Sequence, residues 1–145
     1  MVPAMADDLE FPSCENCAAI GLYVAPMLRA MEAEIGVEET RAFLLAHGGR
    51  DYAIAARPPA QLPAALRPAD AWLRAAKGPG RITLPLGPVA RRARIAWTLY
   101  RVLAQGASLS GAAARCGCSL RTATGWRARL TRDGLLAPAP AARTP

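Results

Sequence analysis

The sequence predicts a mainly α-helical protein with an N-terminal helical dimerisation region, one or two short β-strands and a C-terminal helix-turn-helix domain. Apolar residues recur at three- and four-residue intervals through several segments, the period of a helix buried on one face. Residues 108–130 set two capping serines around a turn glycine. Charge is divided along the chain. Residues 1–76 carry six Arg and ten acids, a net of −4, whereas residues 77–145 carry one Lys, eleven Arg and Asp133 as the lone acid, a net of +11. The 145 residues hold 52% hydrophobic side chains, many of them alanine, and eight aromatics. That suits one ordinary domain or two small ones with thin, closely packed helical cores.

Residues 1–16 read as a disordered leader, with Pro3, Pro12 and a small acidic cluster; Met5 is an alternative start. From Cys17 to Ile35 the positions Ile20, Val24, Met27, Leu28, Met31 and Ile35 form an apolar stripe, while Glu32 and Glu34 fall off it. An amphipathic helix is expected there, starting late or kinked at Pro26 and ended by Gly36. Val37 to Ala46 forms a second helix with Phe43 and Leu44 inward. A stripe of this kind on so short a hairpin is commonly completed by a second subunit, which makes residues 17–76 the dimerisation region.

Gly48-Gly49 precedes the alternating run Asp51–Ile54, a turn and a short strand near 50–56. Residues 58–68 connect, with Leu62 and Leu66 pinning the segment, and Ala69 to Ala76 is a helix. Gly78-Pro79-Gly80-Arg81-Ile82-Thr83-Leu84-Pro85 then repeats the glycine–strand–proline pattern in a linker over 77–88. The repeat is either a weak internal duplication or a coincidence of composition. Its two strands are candidates to pair with each other, since one strand cannot satisfy its own backbone. Val89 to Gln105 is the longest clean helix, with Ile95, Leu99, Val102 and Leu103 inward and Arg91, Arg92, Arg94 and Arg101 outward.

The helix-turn-helix occupies 89–133. Ser108 caps a helix through Arg115, Gly117 makes the sharp turn, and Ser119 caps a second helix to about Arg132. Ala113 is the small residue that lets crossing helices approach. Leu109, Ala112, Cys116, Cys118, Ala123, Trp126 and Leu130 supply the apolar seam. The second helix is rich in arginine and free of acids, as suits the DNA major groove. Candidate DNA contacts are Ser110, Ser119, Arg121, Thr122, Thr124, Gly125, Arg127 and Arg129, with Arg92 and Arg94 reaching phosphates from the supporting helix. The plain alternative is an ordinary pair of core helices. After Leu136 the Ala-Pro-rich end is read as a flexible tail within 134–145.

No run of about 18 apolar residues is present, and the acidic start lacks the pattern of a secretory signal. A cytoplasmic protein without a membrane partner is expected. Cys14-x-x-Cys17 and Cys116-x-Cys118 have spacings that can share a zinc ion. Cys116 and Cys118 also fall where the motif wants small buried side chains, so no metal and no cofactor is expected. Asp51, Asp70 and Asp133 sit in no catalytic pattern. His47, the single histidine, reads as a helix C-terminal residue beside the dipole. No enzymatic activity is expected.

The order of acidic helical head, Gly-x-Gly-Arg-Ile-Thr-Leu-Pro strand, arginine-bearing helix and helix-turn-helix resembles the Mor transcription activators, the middle-operon regulators of phage Mu and Mu-like prophages. The resemblance covers roughly 30–132. It implies a homodimer that binds double-stranded DNA and works with RNA polymerase, with the linking strand placing Gly80, Arg81 and Thr83 near the DNA backbone. Ala123 and Thr124 stand where that family has a larger aliphatic and an aromatic residue. The expected function is a sequence-specific transcriptional regulator of activator type. The alternative is the DNA-recognition subunit of a transposase or recombinase.

Overall fold

The computed structural model describes residues 9–138. It divides into two compact bodies, Pro12–Ala93 and a second made of residues 9–11 with 94–138. Among the described residues the chain is mainly helical, with one two-stranded sheet. Among the described residues no helix is long and apolar enough to cross a membrane.

In the first body, α1 (Cys14–Ala19) opens on a capping box. The Ser13 hydroxyl accepts from the Asn16 N–H, and the Asn16 side chain accepts from the Ser13 N–H. Glu32 of α2 (Pro26–Ile35) supplies a second cap, since its carboxylate accepts from the Cys14 N–H at 2.8 Å. Charge at a helix N-terminus is favourable because the first-turn N–H groups have no partner within the helix. The amphipathic helix read within 17–35 starts late, at Pro26, and α1 precedes it as a separate helix. Proline cannot donate within a helix but fits its first turn, and Pro26 occupies that turn of α2. Gly36, with φ of 97°, separates α2 from α3 (Val37–His47).

The two expected strands form and pair. β1 (Asp51–Ile54) runs antiparallel to β2 (Gly80–Thr83), with Tyr52 opposite Ile82. Alternation along β1 buries Tyr52 and Ile54 and exposes Asp51 and Ala53. Between the strands lie a 3-10 turn at Ala64–Leu66 and α4 (Arg67–Lys77). Asp70 of α4 is buried, yet it accepts the Tyr52 hydroxyl at 2.6 Å and pairs with Arg74 at 2.7 Å. Arg74 also donates to the Ala55 carbonyl. This network ties α4 to β1 and satisfies a charge that would otherwise be costly to bury. His47 closes α3 against the rings of Phe43 and Tyr52.

The apolar stripe of α2 and α3 is covered within the chain. Met31 and Phe43 pack with Tyr52, Ile54, Ala69, Leu73 and Leu84. Leu28 and Leu44 pack with Cys14, Cys17, Val24 and Ala93. A second subunit is not needed to bury them, because the sheet and α4, distant in sequence, fold back over the hairpin.

The second body contains α5 (Arg91–Ala104) from Arg94 onward, α6 (Leu109–Cys116) and α7 (Leu120–Arg132). Its core joins Leu99, Val102, Ala112, Ala113, Cys116 and Ala123, with Ile95, Leu103, Leu109, Cys118 and Trp126 packed against it. Leu9 is buried in the same cluster. The leader expected to be disordered through residue 16 is thus structured from Leu9 onward; residues 1–8 lie outside the described residues. An isolated leucine, acid and aromatic beside prolines carry no periodic signal, and only the contact with α5 and α6 orders them. Residues 134–136, within the bounds read for the tail, are tied to the end of α7. The Leu135 and Leu136 N–H groups both reach back to the Leu130 carbonyl, and Gly134 adopts φ of 79° in closing α7. Residues 139–145 of the expected tail lie outside the described residues.

Candidate nucleic-acid interface

The turn between α6 and α7 has the local geometry the sequence calls for. Ser108 accepts from the Gly111 N–H at 3.0 Å and so caps α6. Gly117 sits at φ 66°, ψ 35°, a left-handed conformation that only glycine adopts readily. The Cys118 N–H then reaches back to the Ala113 carbonyl, and Ser119 caps α7 by accepting from the Thr122 N–H at 3.0 Å. Ala112, Ala113 and Ala123 are buried at the crossing, where short side chains let the helices approach closely. Trp126 is half-buried against this core rather than enclosed by it.

Successive residues turn by about 100° along a helix, so burying Ala123 and Leu130 fixes which side of α7 faces water. Arg121, Thr124, Gly125 and Ala128 are exposed on that side, and Leu120, in the first turn, is exposed at its edge, one turn before Thr124. No acid occurs in α7 before its C-terminal Asp133. A Cβ at Gly125 would meet nothing within 4 Å, so internal packing does not require glycine there. A mid-helix glycine costs about 1 kcal/mol relative to alanine, and what it leaves is a flat place where another surface can approach closely.

The expected contact residues divide on this geometry. Arg121, Thr124 and Gly125 share the outward face of α7, and Ser110 is exposed in the first turn of α6. Ser119 and Thr122 are exposed but engaged with each other, the Ser119 hydroxyl donating to Thr122 Oγ1 at 3.0 Å while it caps. Thr124 donates its hydroxyl to the Leu120 carbonyl at 2.8 Å. Arg127 and Arg129 are half-buried. Arg127 borders a groove with Leu103, Ala107 and Leu136, and the Arg129 guanidinium lies 4.6 Å from the centre of the Trp126 ring. Both fall away from the middle of the outward face.

Arg94, expected to reach phosphates, turns to the N-terminal arm rather than outward. Its guanidinium donates to the Leu9 carbonyl at 2.7 Å and stacks 3.9 Å from the Phe11 ring centre. The helical period alone put it outside, because that period contains no information about the arm packed alongside α5. Glu10 lies in the same arm. Its N–H donates to Thr98 Oγ1, and its carboxylate pairs with Arg101 at 3.3 Å and Arg115 at 4.0 Å. Arg81 and Thr83 lie on β2 in the first body, where Thr83 donates its hydroxyl to Asp51 at 2.9 Å; Arg81 is exposed, as is Arg92 in the first turn of α5.

Cys14 and Cys17 belong to the first body, Cys116 and Cys118 to the second. Burial pushes the Cys14 thiol up to about 12 and those of Cys17 and Cys116 to about 11, with the Glu32 carboxylate adding to the rise at Cys14 and Cys17. These three are protonated, buried thiols at neutral pH. Among the described residues no three His, Cys, Asp or Glu side chains converge as metal ligands.

A capped helix, a left-handed glycine turn and a second capped helix with an acid-free outward face, supported by α5, define a helix-turn-helix DNA-binding domain. Residues 88–139 match the family described as Homeodomain-like domain. That match stands at the level of helix-turn-helix DNA-binding proteins and does not reach the Mor activators in particular. No curated protein and no solved structure matches the chain. Sequence reasoning missed Leu120, exposed at the first position of α7, and the arm of Leu9 and Glu10. Leu120 was legible in principle, since it directly follows the cap and lies off the seam.

Proposed function

We infer that this protein is a sequence-specific transcriptional regulator of the Mor activator type, binding double-stranded DNA as a homodimer and acting with RNA polymerase. The observation that carries DNA reading is the outward face of α7, where Arg121 stands beside Thr124 and an unpacked Gly125. Arginine can pair with the O6 and N7 of guanine, and a flat helix surface lets the groove wall come close. Asp70 supports a non-catalytic reading, since its carboxylate is engaged by Tyr52 and Arg74. A homodimer draws support from Leu45 on α3, 56% exposed, and Leu86, 45% exposed, whose side chain lies over Gly49 just beyond α3. Sedimentation of the purified protein tests that part, and a monomer at tens of micromolar removes it.

Selection from random duplexes tests the main reading, followed by binding to the selected and a scrambled duplex. Arg121→Ala is expected to cost about 1–3 kcal/mol on the selected site and little on the scrambled one. Equal losses on both would show that α7 does not read bases.

A further inference from the structure

We propose that Leu120 and the methyl group of Thr124 form an apolar reading element for the 5-methyl group of thymine, beside the base contact of Arg121. This deepens the reading of α7 as a base-reading helix and rests on it. Leu120 is 52% exposed, whereas the other leucine of α7, Leu130, is fully buried. It belongs to no core cluster of the described residues. A leucine left in water at the first position of a capped helix forfeits the stabilisation its burial would bring, and helix propensity does not demand it, since alanine is at least as favourable there.

Thr124 lies one turn further along the same face. Its hydroxyl donates to the Leu120 carbonyl at 2.8 Å. With the oxygen turned back onto the helix, the group this exposed threonine presents outward is its methyl. Leu120 and Thr124 therefore make a continuous apolar step, with Arg121 next to it and the flat Gly125 behind it. In the major groove the one apolar group on a base edge is the thymine methyl, while guanine offers paired acceptors suited to arginine. The face thus fits a thymine adjacent to a guanine, read by shape at one base and by hydrogen bonds at the other.

The test uses the full chain and the duplex enriched by selection. Each thymine in turn is replaced by deoxyuridine, which keeps every Watson–Crick group and removes only the methyl. Affinities are measured for the parent, Leu120→Ala and Thr124→Ser, with thermal unfolding as a check that each variant folds. At one or two thymines the parent is expected to lose roughly three- to fivefold on demethylation, the effect of one buried methyl. Leu120→Ala should bind the thymine duplex more weakly and no longer distinguish it from the deoxyuridine duplex. The inference is overturned if no thymine responds, or if Leu120→Ala keeps the full deoxyuridine penalty. An Arg121→Ala variant still selective for the chosen site, together with a lost deoxyuridine effect in Leu120→Ala, would overturn the arginine reading and leave this one standing. A selection that enriches no sequence overturns both.

Discussion

Replacing Leu9 by alanine tests whether the N-terminal arm is part of the DNA-binding domain. Leu9 is 4% exposed and packs in one cluster with Leu99, Val102, Ala112, Ala113, Cys116 and Ala123. Removing three side-chain carbons forfeits roughly 2–2.5 kcal/mol of transfer free energy. A cavity adds to that, and here collapse is poorly available because three of the neighbours are alanines with no side chain to reach inward. The expected loss is about 3–4 kcal/mol, within the range for buried leucines. For a body this small, that lowers the midpoint of thermal unfolding by on the order of 30 °C. Trp97 and Trp126 lie in this body and Trp72 in the other, so fluorescence in a Trp72→Phe background reports its unfolding. Leu120→Ala serves as the matched control, expected to change stability by no more than about 0.5 kcal/mol because its side chain is exposed. A Leu9→Ala protein that melts with the parent would refute the arm's place in the core and return residues 9–11 to a loose leader.

Arg94→Ala is expected to destabilise the same body by roughly 1–3 kcal/mol, through loss of the Leu9 carbonyl bond and the Phe11 stack, with the salt slope of DNA binding unchanged; a slope shallower by about one unit would restore it as a phosphate contact. Asp70→Ala should cost the first body about 3–5 kcal/mol, read by urea unfolding, because Arg74 and the Tyr52 hydroxyl lose a buried partner; a loss under about 1 kcal/mol would mean the network contributes little. Alkaline pH should destabilise the fold. The buried thiols of Cys14, Cys17 and Cys116 stay protonated to about 11–12 when folded, whereas the unfolded chain ionises them near the ordinary 9.0. Stability from these groups is therefore whole below about pH 9 and falls as pH rises toward 11–12, by on the order of 1.4 kcal/mol per pH unit for each group. Tyr52 acts in the same direction above pH 10, held protonated by burial and by Asp70. Cys17→Ala should make the decline shallower, and a urea midpoint that stays flat up to about pH 10.5 would contradict the assignment.

Features written in neighbouring residues are legible in the sequence alone. Ser108, Gly117 and Ser119 mark the turn because caps and left-handed glycines act through groups within about four positions. The seam through Ala112, Cys116, Ala123 and Leu130 follows from helical period. The two glycine–strand–proline units were legible as strands that needed each other. Tertiary structure decided what period cannot express. Period says that the stripe of α2 and α3 must be covered, but not by what; β1, β2 and α4 cover it, where a second subunit was expected. It places Arg94 on an outer face, but Leu9, 85 positions away, takes up its guanidinium. It leaves Asp70 as an unremarkable helix acid, but folding brings the Tyr52 hydroxyl to it from β1. A helix or strand pattern records how one element divides its own surface between core and water. Which distant segment meets each face depends on how the chain closes its loops, and no local spacing carries that information.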